Sequence, residues 1–357
     1  MGTGRALLLA FAVGLFGAGP LRADCPGLAG ETLRWIVTTR PGGGYDAYSR
    51  LLQPFLERAL SARIVIENRP EAGGIVGALA IRDAAPDGRT LGIINASGLL
   101  AARAGDVGTA PDPASDFTIL ASIVSNHVVL FSGRDSGIAD VAGLLRVAQT
   151  RPIVAGVRDA GSSSFYALPI AAALLGFDYE LVTGYVGSAA RTLAVMRGEV
   201  DIVVAAFDSV RGPVRDGELV PLLQLTGAPA DAVGSASPDS LDAPRMAGPD
   251  GLARQRAAAT GRSPEQAAEE AAALAALVGA GRLAVAPPGL PPVLAACLDE
   301  TLGNILGSAE LRTAAERAQL GIQPRTGREA LAEVLEGARA LARFDSLVRA
   351  AVEQARQ

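Results

Sequence analysis

The chain has few of the side chains on which most enzyme sites depend. Histidine occurs once, as His127, so no site can use two histidines, and a Ser/His/Asp triad would have to use this one. No G-x-S-x-G nucleophile elbow supports such a triad, and no carboxylate pair stands out as a general acid and base. The two cysteines lack metal-ligand spacing. We therefore predict a protein that is not an enzyme and binds no metal or cofactor.

Clustered positive charge and aromatic rings are also missing. All 32 basic residues are arginine, the net charge is −5 at pH 7, and aromatic residues make up only 4% of the chain. Nucleic-acid binding needs clustered positive charge or stacking rings. The glycines at 42–44 are not followed by Lys-Ser/Thr, and no dinucleotide fingerprint follows a strand. The lack of clustered positive charge and of aromatic rings predicts no nucleic-acid partner, and the missing motifs predict no nucleotide cofactor.

An uncharged apolar run lies at the N-terminus, and no other run reaches the length of a membrane span without a charge or a break. Residues 6–18 are apolar, follow Arg5 and precede Pro20, and are too short to span a bilayer comfortably. Residues 21–23 resemble a small-residue cleavage site. We predict a signal peptide over residues 1–23, a mature chain that starts at Asp24, and export to the periplasm. An uncleaved anchor is the alternative.

Export leaves the state of the two cysteines open. An oxidising compartment favours a disulfide between Cys25 and Cys297. Alternatively, Cys297 is a core residue, because it shares an apolar helical face with residues 293, 294, 298 and 302. Lipid attachment at Cys25 is disfavoured by the preceding Asp24, since a small residue normally stands there.

Apolar runs of strand length alternate with segments of helical periodicity along the chain. Strands are predicted at 33–38, 64–67, 90–94, 117–123, 128–131, 153–157, 179–183, 201–206 and 283–286. Helices are predicted at 46–60, 75–84, 138–149, 162–175, 189–197, 263–277, 293–306, 309–320 and 328–352. Strands this apolar are typical of parallel sheets covered by helices on both faces. The fold class is therefore α/β.

Turns rich in glycine and serine join several of these strands to the helices that follow. They lie at 41–46, 67–74, 161–164 and 185–188, with a further loop at 95–98. A helix N-terminus offers unpaired N–H groups and a partial positive charge, so it binds anions without a basic side chain. Each glycine could instead serve a tight turn without a ligand. Ligands of open α/β sheets, however, bind at the carboxyl ends of strands, and several such turns around one cleft would form a carboxylate receptor.

The sequence in these turns resembles the substrate-binding proteins of tripartite tricarboxylate transporters, also called the Bug family. Residues 41–46 with Arg50 are similar to the family's P-G-G-x-x-D and helix arginine, and residues 67–78 to its E-N-R-P-G-A-G-G-x-x-G-A. Weaker matches are A-P-D-G-x-T-L at 85–91, Y-x-G followed by G-x-V-D at 185–201, and P-x-G-x-P near 288–291. The asparagine-arginine-proline block is the most specific of these.

The resemblance implies a two-domain periplasmic binding-protein fold of the Venus-flytrap, type II-like kind, with a ligand cleft between the domains. Domain 1 would comprise residues 24–124 and about 228–290, domain 2 residues 125–227, and C-terminal helices residues 291–357. The family binds small carboxylates and delivers them to a membrane permease. A monomer that captures a small organic anion by hinge closure is the expectation.

The ligand-binding residues carried over from the family lie in the turns of both domains. In domain 1 they are Gly43, Gly44, Tyr45, Asp46, Gly73, Gly74, Ala96 and Ser97. In domain 2 they are Ser162, Ser163, Ser164, Tyr185, Gly187, Ser188 and Asp208. We expect Asp46 and Asp208 to act through capping or hydrogen bonding more than through charge.

The chain departs from the family pattern at three places. Tyr45 replaces a smaller residue before the aspartate, and Tyr166 lies near a position where the family often has histidine. The segment 227–277 is longer than the family's connection, and Ser263, Pro264 and Gln266 indicate a capped helix inside it. Two alternative functions remain: an orphan receptor that signals to a membrane sensor kinase, and an exported enzyme on this fold.

Overall fold

The computed structural model describes residues 25–105, 109–158, 162–185, 187–226 and 241–356. The predicted signal peptide and its cleavage site lie outside the described residues. Across the described ranges, no helix is both long enough and apolar enough to span a bilayer.

The strands of the described residues are β1 Thr32–Val37, β2 Arg63–Asn68, β3 Thr90–Asn95, β4 Thr118–Val124, β5 Val128–Gly133, β6 Ile153–Gly156, β7 Tyr179–Val182, β8 Ile202–Ala206, β9 Leu219–Gln224, β10 Arg282–Ala286 and β11 Arg325–Thr326. The helices are α1 Gly44–Leu60, α2 Ile75–Arg82, α3 Ala96–Ala104, α4 Val141–Ala148, α5 Ser163–Leu175, α6 Gly187–Met196, α7 Arg211–Arg215, α8 Leu252–Arg256, α9 Pro264–Gly279, α10 Pro292–Gly307, α11 Ala309–Arg317, α12 Gly327–Ala342 and α13 Asp345–Arg356. Short 3₁₀ turns lie at Glu71–Gly74 and Phe207–Ser209.

The strands form two sheets, ordered β11-β4-β10-β3-β1-β2 and β7-β6-β8-β5-β9. In the first sheet β1 is parallel to β2 and β3, so the turns after these three strands emerge at one edge. In the second sheet β6 is parallel to β7 and β8. β10 and β5 run antiparallel to their neighbours, so the sheets are mixed rather than wholly parallel. The predicted α/β class is confirmed.

The chain crosses between the sheets at two places that contact each other. The first crossing is the three-residue connection from β4 to β5, and the second leads from α9 into β10. The Asn126 side chain donates to the carbonyls of Val278 (3.4 Å) and Ala280 (3.3 Å). A Cβ on Gly281 would lie 2.2 Å from the Val124 carbonyl oxygen, so the close approach of the two crossings requires glycine there.

The helix predicted inside the longer segment is α9, and it contacts helices of both halves of the molecule. The first half is built on the six-stranded sheet and the second half on the five-stranded sheet. The start of α9 is as predicted, because the Ser263 hydroxyl accepts a hydrogen bond from the Gln266 N–H at 3.1 Å. α9 packs against α12, which covers β4 of the first sheet, and against α5, which covers β8 of the second. One apolar core accordingly includes Leu283 of β10, Leu274 of α9 and Val204 of β8.

Cys25 and Cys297 form a disulfide in the structure, with an S–S distance of 2.05 Å. The bond ties the segment before β1 to α10. The apolar helical face that offered a core alternative is only partly buried: Leu294 and Leu298 are buried, but Val293 is 70% exposed.

Two helix predictions are wrong in detail. The segment 328–352 is not one helix, because α12 ends at Ala342 and α13 begins at Asp345. Between them the Phe344 N–H bonds the Leu341 carbonyl three residues back, and the Phe344 ring turns into the core. The predicted loop at 95–98 is the start of α3, where the Asn95 side chain accepts a hydrogen bond from the Gly98 N–H and so serves as N-cap.

Candidate functional site

Turns of the two sheets meet at the beginning of α1. A Cβ on Gly44 would lie 2.9 Å from Arg282 Nη2, 3.3 Å from Ser209 Oγ and 3.5 Å from Asp208 Oδ2. Gly44 follows β1 of the first sheet, whereas Asp208 and Ser209 follow β8 of the second. β10 is antiparallel to β3, which places its first residue, Arg282, opposite Asn95 at the same edge as these turns. The two halves therefore contact each other where their parallel strands end.

Arg282 is the central side chain of this contact. Only 2% of it is exposed, and its Nη2 lies 3.0 Å from Oδ1 and 2.8 Å from Oδ2 of Asp208. The guanidinium carbon lies 4.9 Å from the ring centre of Tyr45 and 4.8 Å from that of Tyr48. Burial lowers the pKa of Arg282, but Asp208 and the two tyrosines outweigh it, so this pKa stands above its usual value. The group is a permanent buried cation.

Sequence analysis missed Arg282. One signal was available: it is the single charged residue in a strand whose other members are apolar, and all of β10 is buried. A buried arginine needs a carboxylate partner. The partner, Asp208, was predicted as a ligand-binding residue that acts through hydrogen bonding more than charge. In the structure Asp208 forms an ion pair with Arg282.

Tyr45 and Tyr48 differ in what their hydroxyl groups do. The Tyr48 hydroxyl donates to the Gly321 carbonyl at 2.7 Å. The Tyr45 hydroxyl is buried beside Asn126, but it makes no hydrogen bond of acceptable geometry with any described residue. Burial raises the pKa of both phenols, so both remain protonated donors at neutral pH. The Tyr45 ring thus lies over Arg282, while its hydroxyl, beside Asn126, finds no acceptor among the described residues.

Asp46 joins two predicted site turns to each other. Its Oδ2 accepts hydrogen bonds from the Gly42 N–H and from Arg50 Nε, both at 2.9 Å, and its Oδ1 accepts one from Asn68 at 3.0 Å. Burial would raise the pKa of Asp46, but the three donors together lower it below its usual value. Asn68 also donates to the Thr39 carbonyl at 3.0 Å. The carboxylate therefore holds the 41–46 turn against the asparagine-arginine-proline block.

Gly73 and Gly74 have different surroundings. Gly73, with φ +71°, accepts a hydrogen bond on its carbonyl from Arg158 Nη2 of the second half at 3.2 Å. Gly74 has φ +95°, and a Cβ there would lie 2.4 Å from the Thr38 carbonyl oxygen. Gly74 is thus required by backbone conformation and packing, whereas Gly73 lies at the contact between the halves.

Ala96 and Ser97 lie inside the first half. Ala96 is fully buried and Ser97 is 1% exposed. The Ser97 hydroxyl donates to the Asn95 side chain at 2.9 Å, and the same oxygen caps α3. The structure therefore gives this turn an internal hydrogen-bond network at the end of β3.

The serine-rich turn of the second half begins α5. Ser162 and Ser164 are buried, and their hydroxyl oxygens lie 3.1 Å apart. Arg191 of α6, also buried, places Nη1 3.5 Å from Ser164 Oγ. Ser163 is half-buried. A cation thus stands beside the positive end of α5, a further feature that sequence reasoning missed.

The other predicted residues of the second half lie around the start of α6. Tyr185 packs its ring edge over Gly156, the last residue of β6, where a Cβ would lie 3.3 Å from Tyr185 Cε2. Gly187 has φ +82° and open space around it, and both Gly187 and Ser188 are half-buried. This turn therefore follows β7 as predicted, at the edge from which Asp208 also emerges.

His127 is a structural residue in this fold. Its Nε2 lies 2.9 Å from Gln224 Oε1, and its ring meets Phe207 edge-on at 5.7 Å between centres. Burial lowers its pKa, although the Gln224 hydrogen bond opposes the shift. Over the ranges that the structure describes, no group of three or more histidine, cysteine, aspartate or glutamate side chains could hold a metal ion.

A model of the tripartite tricarboxylate transporter family receptor matches residues 48–232, just over half of the chain. The chain belongs to this family. Among curated relatives, a UPF0065 protein from the tcbD-tcbE intergenic region of Pseudomonas sp. (strain P51) is 28% identical over 182 residues, which is 50% of this chain and 53% of that protein. The chain spans about half the length of the curated relatives it matches.

Solved structures resemble nearly the whole chain. MatC (Rpa3494) from Rhodopseudomonas palustris with bound malate has a TM-score of 0.68 at 21% identity, over 89% of this chain and 99% of that one. R. palustris Rpa4515 with adipate has a TM-score of 0.69 at 21% identity, over 90% and 97%. At this identity the likeness concerns the fold alone, and it confirms the predicted periplasmic binding-protein fold.

Proposed function

We propose that this protein is a periplasmic solute-binding protein that holds a small organic carboxylate between its two halves. Membership of the receptor family supports this proposal. The observation that carries it is the meeting of turns from both sheets around one buried cation: Gly44 and Arg282 on one side, Asp208 and Ser209 on the other. Ligands of such folds bind at the carboxyl ends of strands, between domains.

The ligand class follows from charge and from the neighbours. A buried guanidinium and the amino end of a 17-residue helix both favour an anion. Structural neighbours carry malate and adipate, both small dicarboxylates. We propose a mono- or dicarboxylate of similar size.

The predicted site residues divide by their contacts. Gly43, Gly44, Tyr45, Gly73 and Asp208 lie at or beside the contact between the halves, so we propose that they line the ligand cleft. Ser162, Ser163, Ser164, Tyr185, Gly187 and Ser188 would close the cleft from the second half. Asp46, Gly74, Ala96 and Ser97 are engaged within the first half, and we propose that they shape the turns.

The remaining steps of the function are proposals from the family. The signal peptide would direct the chain to the periplasm, where it acts as a monomer of two domains, residues 24–124 with about 228–290 and residues 125–227. It would release its ligand to the permease of a tripartite tricarboxylate-type transporter. It would bind the ligand without changing it chemically.

A thermal-shift screen of residues 24–357 tests the proposal. The protein is unfolded in guanidinium without reductant and refolded to remove co-purified ligand, then mixed with malate, adipate, other di- and tricarboxylates, aromatic acids and acidic amino acids. An acid at 100 times its dissociation constant adds about 2.7 kcal/mol to stability, which raises the melting temperature by several degrees. The matched amides serve as controls. No shift with any acid, or chemical turnover of the bound acid, would contradict the proposal.

A further inference from the structure

We propose that Arg282 is the carboxylate-binding residue of the cleft, and that Asp208 occupies this guanidinium until the ligand carboxylate replaces it. This inference rests on the function proposed above and names the residue that selects the ligand class. It assigns Asp208 the position of an internal competitor: a carboxylate of the protein that stands where the ligand's carboxylate is to bind.

The hydrogen bonding of Arg282 is incomplete. Both oxygens of Asp208 approach the same nitrogen, Nη2, at 3.0 and 2.8 Å. The buried Nε–H of Arg282 makes no hydrogen bond with any described residue. A carboxylate pairs best with a guanidinium through two parallel bonds, which use two of its nitrogens at once. The Asp208 pair leaves this side-on position unfilled.

The position of Asp208 is one that suits any anion. Its Oδ2 would lie 3.5 Å from a Cβ at Gly44, which is the first residue of α1. Gly43, the N-cap of α1, has no side-chain hydrogen bond to the helix. The partial positive charge of that helix end and the full charge of Arg282 therefore act on the same carboxylate. A ligand carboxylate would gain the same two interactions.

The rings around Arg282 favour exchange of its partner rather than movement of the cation. Tyr45 and Tyr48 both lie within 5 Å of the guanidinium carbon, at 4.9 and 4.8 Å, and keep the group in place through cation–π attraction. Tyr45 also has a buried hydroxyl without a hydrogen bond to a described residue. A ligand carboxylate next to Arg282 would supply the acceptor that this hydroxyl lacks.

Asp208, in contrast, is carried by the half that moves when a binding protein opens. It belongs to the turn after β8, whereas Arg282, Tyr45 and Tyr48 all belong to the first half. Opening of the cleft would separate Asp208 from Arg282 and expose the cation to solvent. The ligand carboxylate could then bind Arg282 before the second half returns.

Three variants separate carboxylate exchange at Arg282 from the alternative of a latch, in which the Arg282–Asp208 ion pair only holds the two halves together. D208N keeps the cation and removes the competing charge, so we expect the carboxylate to bind at least tenfold more tightly. R282Q/D208N removes both charges and avoids a lone buried ion; we expect binding at least 100-fold weaker. R282K keeps the charge but loses the paired N–H groups, and about a tenfold loss is expected. R58Q changes an exposed arginine that pairs with Glu310 and serves as the matched control.

Isothermal titration after refolding measures the dissociation constants, with the acid that gives the largest thermal shift as probe and with malate and adipate tested in every case. A latch predicts that D208N and R282Q/D208N change affinity in the same direction, because both abolish the ion pair. Opposite directions support carboxylate exchange. The double variant should also lose the preference for the acid over its amide.

The outcomes distinguish this inference from the proposed function. If the wild-type protein binds an acid and R282Q/D208N binds it equally well, the role of Arg282 is overturned and the solute-binding function stands. Changes of affinity in the same direction in D208N and R282Q/D208N would also overturn the role of Arg282 and leave the solute-binding function standing. Wild-type protein that binds no acid of the panel would contradict the proposed function and this inference together.

Discussion

The Cys25–Cys297 disulfide closes a loop that contains the second sheet and, except for β11, the first, so its loss should lower stability without changing the folded structure. The two residues are 272 positions apart. A cross-link acts mainly by restricting the unfolded chain, and the chain-entropy relation gives about 5.6 kcal/mol at 25 °C for a loop of this length, as an upper value. For a chain of roughly 330 residues, whose entropy of unfolding is about 0.7 kcal/mol/K, this corresponds to about 8 °C in melting temperature.

The assay compares oxidised protein, protein reduced under denaturing conditions and refolded with reductant, and the variant C25A/C297A. Urea unfolding and calorimetry give the stability, and thiol titration of the denatured protein gives the redox state. We expect no free thiols in the oxidised sample, similar stabilities for the reduced protein and the variant, and unchanged carboxylate affinity. The double alanine variant should be slightly less stable than reduced protein, since Cys25 is only 4% exposed.

Two results would refute this reasoning. Two free thiols in freshly purified, exported protein would show that the bond does not form. Equal unfolding midpoints for oxidised and reduced protein would show that the cross-link does not restrict the unfolded chain, despite the length of the loop it closes.

Three further predictions concern single residues. His127 is the only histidine, and burial lowers its pKa. As the pH falls below about 6.5, the unfolded state therefore binds a proton that the folded state does not, so the free energy of unfolding should fall between pH 7.5 and 5.5, by at most about 1.4 kcal/mol per pH unit. Urea unfolding of H127Q should lack this loss. G74A should cost about 3 kcal/mol because its Cβ would meet the Thr38 carbonyl at 2.4 Å, whereas G42A, at φ +79° in open space, should cost only about 1–2 kcal/mol in the same unfolding assay. S263A should cost about 1 kcal/mol through loss of the α9 N-cap, and an unchanged midpoint would contradict that role.

Local sequence signals predicted most elements because their physical causes are local. The strands at 33–38 and 201–206 were evident from short runs of mainly apolar residues, and the start of α9 from Ser263 and Pro264. The break between α12 and α13 was missed because helical periodicity continues through it, whereas in the structure Phe344, between the two helices, is buried in the core. α3 was missed because its glycine and serine suggested a loop, although Asn95 is a good N-cap.

In the candidate site, too, the features with local causes were predicted and those that depend on tertiary packing were missed. The glycine- and serine-rich turns were predicted at the ends of β1, β2, β6 and β7, and their described residues follow those strands in the structure. Arg282, the most buried arginine among the described residues, was not predicted, because its partners Tyr45 and Asp208 are distant in sequence. The role of an arginine on an apolar strand depends on the groups that compensate its charge, and those groups are known only from the tertiary structure.

The α/β class, the resemblance to the receptor family and the positions of the glycine- and serine-rich turns could be predicted from the sequence, because they depend on residue order over short distances. The sequence did not predict that β10 runs antiparallel beside β3, which brings Arg282 to the edge where those turns emerge. Nor did it predict that Asp208 of the other half pairs with this arginine. Such pairings depend on how strands far apart in the chain lie side by side, and short-range patterns do not encode that arrangement.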